Sequence, residues 1–100
     1  MTKVNHTVLL KFQPEVTDDQ ITQVFENLAK LKNSISGIVE FTGGPNNSPE
    51  GLADGFTHGF SMIFSDATAR DAYLPHPLHE AFKESTLPFI AGVLVFDYSF

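Results

Sequence analysis

A chain of 100 residues has the length of one domain, and 42% hydrophobic against 18% charged residues puts it well clear of the disordered class. Twelve acidic against six basic side chains leave a net charge of −6, which excludes a phosphate-binding face of clustered Lys and Arg and argues against nucleic acid. The absence of cysteine removes disulfides, zinc ribbons and thiol nucleophiles, so stability has to come from packing, with ten phenylalanines and no tryptophan supplying most of the aromatic surface.

The N-terminal run Thr7 to Leu10 is too short for a signal-peptide core or a membrane span. The expectation is a soluble, cytoplasmic protein with no membrane partner, folded as a single domain over residues 1–100. The stretch "VNHTVLLKF" alternates as a strand, with Val4, His6, Val8, Leu10 and Phe12 on one face and Asn5, Thr7, Leu9 and Lys11 on the other. Pro14 ends it. Thr17 with Gln20 predicts a capping box opening a helix whose apolar stripe is Ile21, Val24, Phe25, Leu28 and Leu31.

Gly37 closes that segment, and "IVEFT" predicts a second strand. Residues Gly43 to Gly55, "GGPNNSPEGLADG", predict a long loop. "FTHGFSMIF" alternates again, with Phe56, His58, Phe60, Met62 and Phe64 sharing a face. "SDATARDAY" predicts a helix capped by Ser65 or Asp66 that Pro75 ends, and Pro77 suits the first turn of another helix running to about Ser85. "GVLVFDYSF" predicts a last strand with Leu94, Phe96, Tyr98 and Phe100 on one side and Val93, Val95 and Asp97 on the other.

This order is an α+β plan, βαββαβ, with a four-stranded antiparallel sheet and helices on one face. Both sheet faces draw on apolar residues, with Leu9, Ile63, Val93 and Val95 taken to share one and the phenylalanine-rich rows the other. A homodimer of apposed sheets is therefore expected.

Four histidines, His6, His58, His76 and His79, and Tyr73 are the chemically capable side chains. Imidazole titrates near neutrality and serves as a base, while a phenol donates a hydrogen bond to an oxygen that gains charge. The pair suits removal of an acidic proton next to a carbonyl, followed by ring closure or isomerisation, in a pocket lined by Phe25, Leu28, Phe60 and Phe82. The same residues also fit structural roles: His6 and His58 as core histidines, His76 as a cap of the second short helix, and Tyr73 as its predecessor's terminal aromatic. No metal is expected, because His76 and His79 have no carboxylate at ligand spacing. "FTGGPNN" leads into a proline loop instead of a helix, so no nucleotide cradle is expected, and Ser61 and Ser65 lack a nucleophile elbow.

The stretches "HTVLLKF", "GFTHGFSMIFSDATARDAYLPHPLHEAF" and "VLVFDY" resemble the stress-responsive dimeric α/β barrel domain family over essentially the whole chain. The signature Tyr-x-x-His-Pro-x-His falls on Tyr73, His76, Pro77 and His79. The resemblance implies a ferredoxin-like subunit and a dimer whose two sheets close into a barrel. Within the family the chain looks like a plant polyketide cyclase that needs no metal or coenzyme. That likeness implies Tyr73 as hydrogen-bond partner of a substrate carbonyl, His79 as general base for an aldol closure, and His6 and His58 as pocket residues. The ligand expected is a small hydrophobic, poly-keto or aromatic molecule. Two alternatives remain open at this point: a non-catalytic stress-response protein that binds a hydrophobic ligand, and a cofactor-free monooxygenase.

Overall fold

The computed structural model describes residues 2–100, so of the domain expected over 1–100 only Met1 lies outside the described residues. Period-two alternation builds β1 (Val4–Phe12), which buries Val4, His6, Val8 and Leu10 and leaves the intervening residues partly exposed. After Pro14 the chain enters α1 (Asp18–Ser34) through the expected capping box, in which Gln20 N–H donates to Thr17 Oγ1 and Thr17 N–H donates to Gln20 Oε1. Asp18 and Asp19 in the first turn and Lys32 in the last complement the helix dipole.

Three further strands follow the expected order: β2 (Ile38–Pro45), β3 (His58–Phe64) and β4 (Ile90–Ser99). With β1 they form one antiparallel sheet in the order β2-β3-β1-β4, in which β1 pairs with β3 and β4 and β2 pairs with β3, so β1 is central and β4 is an edge. Between β3 and β4 lie α2 (Ala67–Tyr73), α3 (Pro77–Thr86) and a short 3-10 turn at Leu87–Phe89. The fold is ferredoxin-like, with one four-stranded antiparallel sheet and its helices on one face. The core fills the space between the inward rows of β1 and β3 and the stripe Val24, Leu28 and Leu31 of α1. Among the described residues no helix is long and apolar enough to cross a membrane.

Two sequence expectations need correction. The loop placed at Gly43–Gly55 begins later, because Gly43, Gly44 and Pro45 continue β2 opposite Phe60, Gly59 and His58. Gly43 is pressed so tightly that an added Cβ would lie 2.7 Å from Phe25 and 2.8 Å from Phe60. Pro45 is tolerated because β2 is an edge strand, whose outer row needs no N–H. The second correction concerns β4. Val8 pairs with Val95, Leu10 with Val93 and His6 with Asp97, so Val93, Val95 and Asp97 share the helix-side face. Leu94, Phe96, Tyr98 and Phe100 join Leu9 and Ile63 on the other face, the reverse of the grouping expected for the valines.

That outer face has no helix layer, and the chain is only 17 Å through its thinnest direction. Phe96 is 64% exposed and Phe100 56%. Gly43→Ala is expected to cost about 1–3 kcal/mol, because the Cβ of Phe60 cannot move without its strand. Gly44→Ala, where an added Cβ meets nothing within 4 Å, should stay within about 0.5 kcal/mol; urea unfolding of the two variants tests the contrast.

Candidate functional site

The sheet and the broken helix enclose a cavity of about 280 Å³ between β1, β4 and α3. Its walls are mainly apolar, with Val8 and Leu10 from β1, Ile90, Val93 and Val95 from β4, and Leu87 from the 3-10 turn between α3 and β4. Five polar side chains reach it: His6, Tyr73, His79, Lys83 and Thr86.

Local chain chemistry explains how Tyr73 and His79 arrive there. Asp66 caps α2 by accepting a hydrogen bond from Ala69 N–H at 2.8 Å. Pro75 prevents that helix from continuing, and the chain turns with His76 N–H bonded to Tyr73 O at 3.0 Å. The His76 side chain caps α3, its Nδ1 accepting from Leu78 N–H at 3.1 Å, while Pro77 fills the first helical position. The new helix brings His79 back over Tyr73, and the two rings stack with centroids 4.1 Å apart and planes 25° from parallel.

His79 Nδ1–H donates to Leu74 O at 2.9 Å, which leaves Nε2 as the acceptor of a neutral ring. Burial pushes the His79 imidazole below its ordinary pKa; the Leu74 hydrogen bond opposes this, and the Lys83 cation adds to it. Tyr73 is 1% exposed. Burial pushes its phenol well above the ordinary value, so the hydroxyl keeps its proton. The arrangement therefore presents an unprotonated imidazole beside a protonated phenol in an apolar chamber. That combination is suited to taking a proton from carbon and hydrogen-bonding a neighbouring oxygen.

His6 lies beneath this pair, 6.1 Å centroid to centroid from Tyr73 and edge-on to it. Its Nδ1–H donates to Asp97 Oδ1 at 2.8 Å, and Asp97 Oδ2 accepts from Arg70 Nη1 at 2.8 Å. Neither Asp97 nor Arg70 was singled out from the sequence. Two signals were available: Asp97 is the only charge within β4, and Arg70 stands one turn before Tyr73 on the same helix face. Neither signal names its partner without the strand register.

Of the residues proposed from sequence, the cavity gathers His6, Phe60, Tyr73, His79 and Phe82. Four others lie elsewhere, so the expected convergence of all the histidines does not occur. His58 pairs with Leu10, whereas His6 pairs with Met62, and four residues of strand separate the two by about 13 Å. There His58 stands edge-on to Phe12 at 5.3 Å and shares a hydrogen bond with Thr57 Oγ1 at 2.9 Å, and burial holds its pKa below the ordinary value. Phe25 packs over Gly43 at the same end. Leu28 is wholly enclosed in the core. His76 is the helix cap. Among the described residues no three His, Cys, Asp or Glu side chains are grouped to hold a metal ion.

Because the folded pKa of His79 is depressed, the folded chain binds fewer protons than the unfolded one just below pH 6.5. Its contribution to stability is then present above that pH and is lost as pH falls. Urea midpoints measured from pH 7.5 to pH 5 should fall more steeply for the wild type than for His79→Gln; equal slopes would contradict the burial of an uncharged ring.

The sequence profile of the Stress responsive A/B Barrel Domain matches residues 4–100. The stress-response A/B barrel domain-containing protein HS1 of Arabidopsis thaliana is 34% identical over 95 residues, covering 95% of this chain and 87% of that protein. Olivetolic acid cyclase of Cannabis sativa is 28% identical over 96 residues, covering 96% of this chain and 95% of the enzyme. Among solved structures, a dimeric ferredoxin-like protein of unknown function from Jannaschia sp. superimposes with a TM-score of 0.85 at 30% identity, covering 96% of this chain and 97% of that one. The ferredoxin-like order of strands and helices and the match over residues 4–100 agree, and the chain belongs to the stress responsive A/B barrel domain family.

Proposed function

We propose that the cavity is the active site of a cofactor-independent, polyketide cyclase-like enzyme. The observation that carries this reading is the stacked Tyr73–His79 pair, with His79 Nδ1–H held by Leu74 O so that Nε2 is an acceptor. In the reaction, His79 Nε2 takes a proton from a carbon flanked by carbonyl groups. The electron pair left on that carbon forms a carbon–carbon bond to a second carbonyl carbon of the same substrate. Tyr73 O–H donates a hydrogen bond to the oxygen on which charge collects, and the imidazolium returns its proton to that oxygen. Phe60 and Phe82 give the pair apolar surroundings, which strengthens both interactions. Similarity to olivetolic acid cyclase supports the reaction class.

The working unit in this reading is a homodimer with the bare sheet faces apposed. Leu94, Phe96, Tyr98 and Phe100 are each about half exposed or more, a contiguous apolar patch of the kind that a second subunit covers. A second reading, non-catalytic binding of a small hydrophobic ligand, is favoured by the chamber's largely apolar walls.

Activity is best assayed with linear poly-β-keto compounds, following the cyclised product by mass spectrometry. His79→Ala is expected to lower turnover by about 10²–10⁴-fold and Tyr73→Phe by about 10²–10³-fold, with unchanged circular dichroism. Ligand affinity that survives both changes, with no product from the wild type, would instead establish the binding reading. Phe96→Glu should convert the dimer to monomer in sedimentation velocity; a wild type that sediments as a monomer would dismiss the apposed-sheet assembly.

A further inference from the structure

The chain Arg70–Asp97–His6 runs from the surface of α2 to the wall of the cavity, and the reaction assigned above uses none of its members. Each carboxylate oxygen of Asp97 has its own donor: Oδ1 takes His6 Nδ1–H at 2.8 Å, and Oδ2 takes Arg70 Nη1–H at 2.8 Å. Arg70 is anchored on its far side as well, because its Nε–H donates to Asp71 Oδ1 at 2.8 Å. The guanidinium is thus held between two carboxylates in a fixed plane. The His6 and Asp97 side chains are 7% and 22% exposed, so solvent has little access to the hydrogen bond between them.

We infer that Arg70 is a positioning residue, which fixes the Asp97 carboxylate so that His6 is held as its Nδ1–H tautomer with Nε2 presented to the cavity. A carboxylate only accepts hydrogen bonds, so the ring nitrogen facing it must carry the proton. A carboxylate on a strand residue can still rotate about its side-chain torsions. The fork geometry of arginine supplies the constraint that a point charge would not, which is why guanidinium and ammonium are not equivalent here. Arg70 also lies one turn before Tyr73 on α2, so the same helix that delivers the phenol delivers the clamp. His6 and the Tyr73–His79 pair are thereby set at fixed angles to each other, and the cavity gains a second oriented imidazole acceptor. Its use in turnover rests on the proposed active site; the tautomer itself does not.

The test is nitrogen-15 NMR of the His6 ring in the ligand-free protein, at a pH where the ring is neutral. In the wild type, Nδ1 should give the protonated-type shift and Nε2 the unprotonated-type shift. Arg70→Met should bring the two shifts together as the tautomers mix, while Arg70→Lys should restore the wild-type pattern only in part. Asp97→Ala should abolish the preference, and the backbone amide spectrum of each variant reports whether the fold is intact. If Arg70→Met keeps the wild-type pattern, or if Arg70→Lys restores it in full, the inference is overturned. An unfolded Arg70→Met places the decision on Arg70→Lys alone. Absence of cyclase activity in the wild type would remove the proposed reaction and leave this measurement unaffected.

Discussion

The register of β1 against its two neighbours is the constraint on which the site depends. Side chains alternate faces along a strand, so a slip of one residue would turn every inward side chain outward. Val4, Val8 and Leu10 hold the register, because each buries almost all of its surface against the helix layer or the neighbouring strands. His6 is carried inward with them. In that register it stands between Met62 on β3 and Asp97 on β4, so the one imidazole in the row meets the one carboxylate of the edge strand. Burying a polar ring is costly unless it is hydrogen-bonded, and the same pairing that buries His6 supplies its partner.

The proline break supplies the second part. His79 is six positions after Tyr73, and on a continuous helix that spacing turns the two side chains about 120° apart. They would then face different surroundings. Pro75 ends α2 and Pro77 begins α3, with His76 spent on the cap between them. The change of direction at this joint folds the rings into a stack over the cavity. Of the three polar rings in "YLPHPLH", the middle one therefore builds the joint and the outer two face the chamber.

Among the described residues the helices cover one face of the sheet and leave the other bare. The face is not uniformly apolar. Asn5 Nδ2 donates to the Tyr98 hydroxyl at 2.9 Å and Thr7 Oγ1 donates to Asn5 Oδ1 at 3.0 Å, a short polar row between Leu9 and the aromatic end of β4. In the proposed dimer, apposed subunits would gain cohesion from the apolar residues and orientation from such a row, since a polar pair that lands against apolar surface loses its partners from water.

The sequence by itself determined the order of elements, their ends and most of the inward faces, because these depend on local rules: alternation in β1 and β3, the capping box at Thr17 and Gln20, and the prolines around His76. It also marked Tyr73 and His79, because their spacing and the family signature lie within one short stretch. Only the tertiary structure decided which strands are neighbours and in what register, since pairing is set by packing between residues far apart in the chain. That is why Val93 and Val95 changed faces and Gly43 joined a strand. It is also why His58 fell away from the cavity, and why Asp97 came to hold His6 from 91 positions along the chain and Arg70 to hold Asp97 from 27.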